Sequence, residues 1–326
     1  MPAAPVRLSM RTHAAPLRRR TLERMRRCVP VALAAGLLAG LVSLAQASTD
    51  SFTLRKIREV GVISIGYRDA SVPFSYLDEQ QRPIGYSMSI CDHVVQAVKA
   101  KLNLRELEVR YLPVSSATRI PLVANGSVDL ECGVTTNNVE RQRKVAFSVT
   151  TFVAASKLLS KKSQPVVRID DLRGKVVTST VGTTSLRYLQ ELADERGLDM
   201  RIIAAKDDAE AFRLVETGRA TAYAMDDVLL RGTIAAARTP EAYQVSEEAL
   251  SVEPYGIMLN RDDPEFKRLV DDTIVGLFRS GEIHKLYRRW FQSTIPGGIN
   301  LGLPMHPSMR RVVDKPTDSG DPALYR

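Results

Sequence analysis

Two long extended segments constrain how this chain can fold. Residues 150–160 and 251–260 each read as a continuous extended run, and they bracket a block in which short strands and helices alternate. A first block of the same alternation precedes residue 150, and the chain returns to it after residue 260. Alternating strand and helix argues for α/β architecture. Two blocks joined by two crossings make two lobes with a hinge, and ligands favour the cleft between such lobes.

In the first block, residues 61–67, 108–112 and 128–133 read as strands and residues 68–75 as a polar loop. Residues 89–102 read as a helix, with Ile90, Val94, Val98 and Leu102 on one face. Ser115-Ser116 offers an N-cap for a helix ending at Asn125-Gly126. In the second block, residues 176–178, 201–204 and 220–225 are strands. Residues 186–196 form a helix closed by Gly197. Another helix follows Asp207-Asp208 and stops at Gly218, and Asp226-Asp227 opens a third. Helices over 262–279 and 282–291 close the chain, the first marked by Asp262-Asp263-Pro264. The tail after Pro296, rich in Pro, Gly and Met, is expected to carry no regular structure.

Residues 1–47 are read as a secretory signal peptide. Residues 1–27 hold eight Arg and one acid, Glu23; residues 29–44 are apolar; Ala45-Gln46-Ala47 supplies a small-residue cleavage site. The apolar run is shorter than the ~20 residues a membrane span needs, so cleavage after Ala47 is expected. The whole chain carries 46 basic and 37 acidic residues, net +9; without the leader 38 and 36 remain, net +2. The basic excess belongs mainly to the leader. No basic stripe with interleaved aromatics is left to suggest nucleic acid.

Cys91 and Cys132 lie beyond the leader. Outside the cytoplasm such residues can pair. One reads as the start of a helix and the other as the end of a strand, and free buried thiols are the expectation, because spacing gives no Cα distance. Scattered His residues without metal-ligand spacing give no metal site to expect, and no cofactor. Residues 48–326 contain no G-x-S-x-G elbow, H-E-x-x-H pair or Walker loop. Binding is therefore read ahead of catalysis, and no catalytic residue is assigned.

The chemistry concentrates in residues 128–141, where an apolar run meets Gly133, then Thr135 and Thr136, with Arg141 five residues on. Backbone N–H groups, hydroxyls and a guanidinium at a strand end suit one small carboxylate. A single Arg is ordinarily a solvated surface charge. Arg68, Arg119 and Arg141 stand at equivalent positions of successive βα units and together make a positive pocket suited to more than one carboxylate. Asp226 is either a helix cap or an anchor for an ammonium group. Thr183, Thr184 and Ser185 are either a capping run or a carboxylate nest.

Residues 52–316 resemble the glutamate/aspartate-binding branch of the periplasmic solute-binding proteins of amino-acid ABC transporters. The blocks that carry the resemblance are Tyr67-Arg68 through Val72-Pro73-Phe74-Ser75-Tyr76, Arg119-Ile120-Pro121-Leu122, Glu131-Cys132-Gly133, residues 135–142, Gly182-Thr183-Thr184-Ser185, Met225-Asp226-Asp227 and Asp262-Asp263-Pro264. The resemblance implies a two-lobed periplasmic-binding-protein fold of the type II kind with two crossing hinge strands. Lobe 1 would take residues 48–152 and 254–326, and lobe 2 residues 153–253. It implies Arg141, Thr136 and Thr184 on the ligand α-carboxylate and Asp226 on its ammonium. Arg68, Ser116 and Arg119 would take the side-chain carboxylate. Its partners would be a free amino acid and an inner-membrane permease with ATPase subunits; a periplasmic monomer is expected.

Two positions depart from that pattern. Val134 stands where those proteins carry Ser, leaving its backbone carbonyl usable. Asp208 stands where they carry a ligand-contacting His. Asp208 could pair with Arg68, letting a neutral amide such as glutamine or asparagine compete. Alternatively it points away and caps a helix starting at Ala209, the arrangement that Asp-Asp before Ala-Glu-Ala-Phe favours. An enzyme on the same fold, a dehydratase or lyase of an amino or keto acid, is the competing class, with Asp208 or Glu131 as its acid/base.

Overall fold

The computed structural model describes residues 51–326; the expected leader lies outside them. The first described element is a helix not expected above, α1 (Phe52–Val60), capped by Ser51. Strand β1 (Val62–Tyr67) follows, buried along almost its whole length. The expected polar loop after it forms a small antiparallel sheet of β2 (Ala70–Ser71), β3 (Ser75–Leu77) and β4 (Pro83–Ile84). Then come α2 (Tyr86–Lys101), β5 (Glu108–Pro113), α3 (Arg119–Ala124), β6 (Leu130–Glu131), α4 (Val139–Gln142) and β7 (Ala146–Phe147).

The chain leaves this first unit along β8 (Phe152–Lys161). The second unit contains β9 (Val176–Thr180), α5 (Thr184–Arg196), β10 (Arg201–Ala205), α6 (Asp208–Glu216), β11 (Ala222–Asp226), α7 (Asp227–Ala235) and β12 (Tyr243–Val245). It returns along β13 (Ser251–Tyr255) into β14 (Met258–Leu259), then α8 (Pro264–Arg279) and α9 (Glu282–Tyr287). The first sheet has the order β5-β1-β6-β14-β7, and the second β10-β9-β11-β8-β12, with β13 also paired to β8. The two crossing segments are thus hydrogen-bonded to one another, antiparallel, in the register Ser251↔Ser156 to Tyr255↔Phe152.

An aromatic cluster holds the first-unit end of this pair. Phe152 of β8 stacks on Phe291 with ring centroids 5.0 Å apart and meets Phe74 edge-on at 4.9 Å. Tyr255 of β13 meets Phe74 at 5.4 Å, and Tyr287 stacks on Phe291 at 4.4 Å. Such pairs add about 0.5–1.5 kcal/mol each beyond their burial, so the hinge strands are anchored at one end by several contacts at once. Buried Asp263 accepts from Ser51 Oγ (2.8 Å), Thr53 N (2.9 Å) and Phe266 N (3.0 Å), serving the starts of α1 and α8 with one carboxylate.

Two expectations are corrected. The tail is not irregular: α10 (Pro307–Asp314) starts at Pro307, and a 3₁₀ turn spans Pro322–Tyr325. Pro at the first helical position lacks only an N–H that would be unbonded anyway, so Pro there marked a helix start. Tyr325 then ties the tail to the end of the first unit through its hydroxyl, 2.8 Å from Thr150 Oγ1. The cysteines are not free either. Cys91 and Cys132 form a disulfide across a Cα separation of 6.3 Å. Helix α2 begins at Tyr86, so Cys91 sits in its second turn on the buried face, against the residue that follows β6.

Closing a 41-residue separation removes about 4 kcal/mol of unfolded-chain entropy in the simplest account. Replacing both cysteines by Ala is expected to cost about 2–4 kcal/mol of stability in denaturant titrations.

Candidate ligand-binding site

The candidate residues converge where the two sheets' strand ends face each other. Arg68 follows β1, Arg119 opens α3 and Arg141 lies in α4, and all three are buried. Each is oriented by a neutral oxygen. Arg68 Nη1 donates to Ser116 Oγ at 3.0 Å, Arg119 Nη1 to the Val134 carbonyl at 3.0 Å, and Arg141 Nη1 to the Thr136 carbonyl at 2.9 Å. Arg119 Nε is buried with no partner. Burial first, then the charge of Arg141, with Arg68 adding to it and Glu131 opposing, draws the Arg119 guanidinium down to about 9. It remains charged at neutral pH, in a place short of negative partners. Val134 contributes through its carbonyl, and its side chain is buried.

Backbone geometry brings these groups close. Glu131 packs beneath Gly133, where an added Cβ would lie 2.1 Å from Glu131 Oε1 and 3.0 Å from Arg68 Cγ, so a larger residue there would have to displace the Glu131 carboxylate. Glu131 Oε2 accepts from Thr135 Oγ1 at 2.7 Å.

The second unit supplies the facing wall. Thr183 is the cap of α5, its hydroxyl accepting from Leu186 N at 3.1 Å, which leaves Thr184 to the cleft. Thr184 Oγ1 lies 3.4 Å from Thr136 Oγ1, and Arg141 Nη2 donates to the Gly182 carbonyl at 3.2 Å. Gly182 has φ 79°, and a Cβ there would meet the Ser116 carbonyl at 2.7 Å. Both the backbone angle and the approach of the other wall therefore require glycine. A cavity of about 630 Å³, lined by Ser116, Arg141, Gly182 and Thr184 among others, opens beside this contact. A second, of about 460 Å³, opens beside Arg68, Ser71, Lys206 and Asp208.

Asp208 does not cap its helix. The cap is Asp207, whose side chain accepts from Glu210 N at 2.8 Å. Asp208 turns instead into the cleft, accepting from Thr180 Oγ1 at 2.5 Å and Tyr223 OH at 3.0 Å, with Oδ2 4.0 Å from Arg68 Nη2. The arrangement favoured by the local sequence is thereby corrected. A cap is set by the residue one position before the first helical turn, and α6 begins at Asp208 itself. Asp226 precedes α7 but makes no side-chain cap bond. Its carboxylate takes the Tyr255 hydroxyl and, at 3.4 Å, Ser185 Oγ. Burial first, and the nearby Glu253 second, push it up to about 8. Glu253 and Tyr255 line this wall without having been singled out in the sequence. The one signal was an acid two residues from a tyrosine in an otherwise apolar extended run.

Buried cations on one wall, buried acids and hydroxyls on the other, and two crossing strands between the walls give a two-lobed α/β fold with a cleft of mixed charge. The chain belongs to the bacterial extracellular solute-binding proteins, family 3, matching that family over residues 63–293. It is 47% identical over 295 residues to the L-glutamate/L-aspartate-binding protein of Pseudomonas aeruginosa, covering 90% of this chain and 98% of that one. It is 44% identical over 296 residues to the glutamate/aspartate import solute-binding protein of Escherichia coli K12, again covering 90% and 98%. Among solved structures, it is similar to an ancestral amino acid-binding protein described as a precursor of cyclohexadienyl dehydratase, with a TM-score of 0.61, 26% identity and 73% and 98% coverage. Among the described residues, no helix is long and apolar enough to cross a membrane.

Arg141→Ala is expected to abolish binding of every amino-acid ligand whatever its side chain. Losing a buried charge-assisted pair costs ~2–5 kcal/mol, or roughly 30-fold to several thousand-fold in affinity. Isothermal titration calorimetry checks this, and wild-type affinity in the mutant would remove Arg141 from the site.

Proposed function

We propose that this chain binds a free L-amino acid with an acidic side chain, glutamate or aspartate, and delivers it to the permease of an ABC importer. The observation that carries the reading is the set of three buried guanidinium groups on one wall opposite Asp226. Arg141, Thr136 and Thr184 take the α-carboxylate; Asp226 takes the ammonium; Arg68, Ser116 and Arg119 take the distal carboxylate. The lobes are residues 48–152 with 254–326, and residues 153–253, hinged on β8 and β13. The protein works in the periplasm as a monomer, and the importer's ATPase subunits use the ATP. It acts as a binder and not as a catalyst. Its relatives at 44–47% identity are named as binding proteins, and one oxygen of each proposed acid/base residue, Asp208 and Glu131, already accepts from a protein hydroxyl.

One observation supports a broader ligand range. Asp208 sits 4.0 Å from Arg68 and offsets part of the positive charge facing the ligand side chain. Arg119 still leaves that end net positive, so an acid is preferred, with glutamine or asparagine as weaker competitors.

Calorimetry with glutamate, aspartate, their amides and glutarate, a dicarboxylate without an amine, tests the reading. In Asp226→Asn, amino-acid affinity is expected to fall by ~2–5 kcal/mol while any glutarate binding barely changes. Equal affinities for glutamate in wild type and mutant would take Asp226 off the ammonium.

Asp208→His is expected to raise the preference for glutamate over glutamine by about tenfold or more, about 1.4 kcal/mol, because a negative charge beside Arg68 becomes a donor. It should also cost roughly 1–3 kcal/mol of stability, as the Thr180 and Tyr223 hydroxyls lose their acceptor. An unchanged selectivity ratio would place Asp208 outside side-chain recognition.

A further inference from the structure

We infer that the C-terminal strap, residues 317–325, is a positioning element of the ligand site: it holds in place the segment that carries Arg141. This rests on the amino-acid reading above, in which Arg141 takes the α-carboxylate. Arg141 sits in α4, a helix of a single turn. A lone turn fixes several backbone angles for one hydrogen bond and is not stable by itself. Groups outside it must hold the guanidinium where a carboxylate can use both arms of the fork.

The strap supplies that support through one carbonyl. Asp318 O accepts from Asn137 Nδ2 at 2.8 Å and from Gln142 Nε2 at 2.9 Å, and Gln142 Nε2 also donates to Asn137 Oδ1 at 2.8 Å. One of these two side chains stands before α4 and the other at its end. Between them, Asn138 caps the turn, its side chain accepting from Arg141 N at 2.8 Å. Buried Gly320 packs against the same cap. A Cβ there would lie 2.7 Å from Val139 N and 2.8 Å from the Asn138 carbonyl carbon.

The strap is itself fixed to the rest of the first unit. Thr317 O accepts from Thr150 N at 2.8 Å, at the first-unit end of the hinge. The hydroxyl of buried Tyr325 lies 2.8 Å from Thr150 Oγ1 and donates to Ser319 O at 2.7 Å. Asp318 pairs with Lys267 Nζ of α8 at 2.8 Å, and Lys267 also holds Asp271, which accepts from Val149 N. The Arg141 segment is bonded to the hinge strand β13 as well, Asn137 N donating to Pro254 O at 2.7 Å. None of these contacts uses the opposite wall, so they do not depend on the two walls meeting. The strap follows residues 63–293, the span matched to the family.

A forked contact is sensitive to placement, because both N–H···O bonds must form together. Loosening the strap releases Asn137 and Gln142, and α4 frays with Arg141 on it. The result is a folded protein that has lost affinity. A strap serving stability alone would give the opposite split, lower stability and unchanged affinity in the protein that remains folded.

Two substitutions in the full chain test this. Gly320→Ala drives the strap off the cap of α4, and Tyr325→Phe removes the hydroxyl anchor without adding an atom. Glutamate binding is measured by calorimetry well below the unfolding transition, and amide hydrogen exchange is followed in the unliganded proteins. Gly320→Ala is expected to weaken glutamate about tenfold or more, the loss of one charge-assisted hydrogen bond, and Tyr325→Phe by a smaller factor. Exchange should quicken at residues 141–145, whose amides are bonded within this turn, and stay unchanged along β1. Wild-type affinity in both variants overturns the inference. So does a uniform rise in exchange across the first unit, which marks a role in stability alone. A wild type that binds no amino acid overturns the amino-acid reading instead. Quickened exchange at 141–145 in the variants would then still support the strap's hold on the segment, and wild-type exchange there would overturn it. If Gly320→Ala fails to fold, Tyr325→Phe carries both measurements.

Discussion

The cleft depends on the burial of three guanidinium groups on a single wall. Removing a charge from water costs several kcal/mol unless partners replace the solvent. Here the partners of Arg68, Arg119 and Arg141 are mostly carbonyl and hydroxyl oxygens, from Ser116, Val134, Thr136 and Gly182. Those oxygens orient the groups without neutralising them, and mutual repulsion adds to the burial cost at Arg119. A wall so arranged is complementary to anionic oxygen in a water-poor space, where a forked guanidinium–carboxylate contact is strong. The fold serves that arrangement. β1 and β6 pair in parallel, so Arg68 and the 131–141 segment leave the sheet side by side, and the disulfide ties the end of β6 to α2.

Closure then depends on the hinge. β8 and β13 pair over residues 152–156 and 251–255, and the aromatic residues around Phe74 and Phe291 hold one end of that ribbon. The directional contacts from the opposite wall to the first include Arg141 to the Gly182 carbonyl, Thr136 to Thr184, Arg68 facing Asp208 and Arg187 facing Glu140. A ligand touching both walls has the differential interaction needed to shift an open–closed balance. Gly182 matters here because a Cβ would strike the Ser116 carbonyl before those contacts formed.

Much of this was legible in the sequence. The strand–helix alternation and the two extended runs carry the architecture, and the Gly133 to Arg141 spacing marks one wall. What escaped has physical reasons. The disulfide needed a Cα distance, which depends on where α2 begins: three residues of helix start moved Cys91 from an end to a packed face. At Asp207-Asp208 either residue is a good cap by type, and only the backbone decides which one turns into the cleft. In the tail, a composition rich in Pro, Gly and Met suggested no regular structure, whereas Pro307 opens a helix. Glu253 was invisible because a lone acid in an extended run is ordinarily a solvent-facing residue. Its burial follows from the pairing of β13 with β8 and the approach of Thr184 from the second unit, which no local pattern encodes.

The division of sign between the walls gives the proposed ligand two unequal tasks. Arg68, Arg119 and Arg141 all come from the first unit, whereas Asp208 and Asp226 come from the second and Glu253 from the strand between. On the proposed reading, both ligand carboxylates find their charged partners on the first wall. Docking there is open to any small dicarboxylate of suitable length. Of the second unit's acids, Asp208 already faces Arg68, whereas Asp226 takes hydrogen bonds from hydroxyls, so it is Asp226 that the ammonium provides with a charged partner. Retention in the closed form therefore selects for the amine, while the first wall selects for the second carboxylate. Recognition of an acidic amino acid separates into two electrostatic tests made by different lobes. A ligand that passes only the first leaves buried Asp226 with hydroxyl partners and no cation, so the closed form lacks that charge pair.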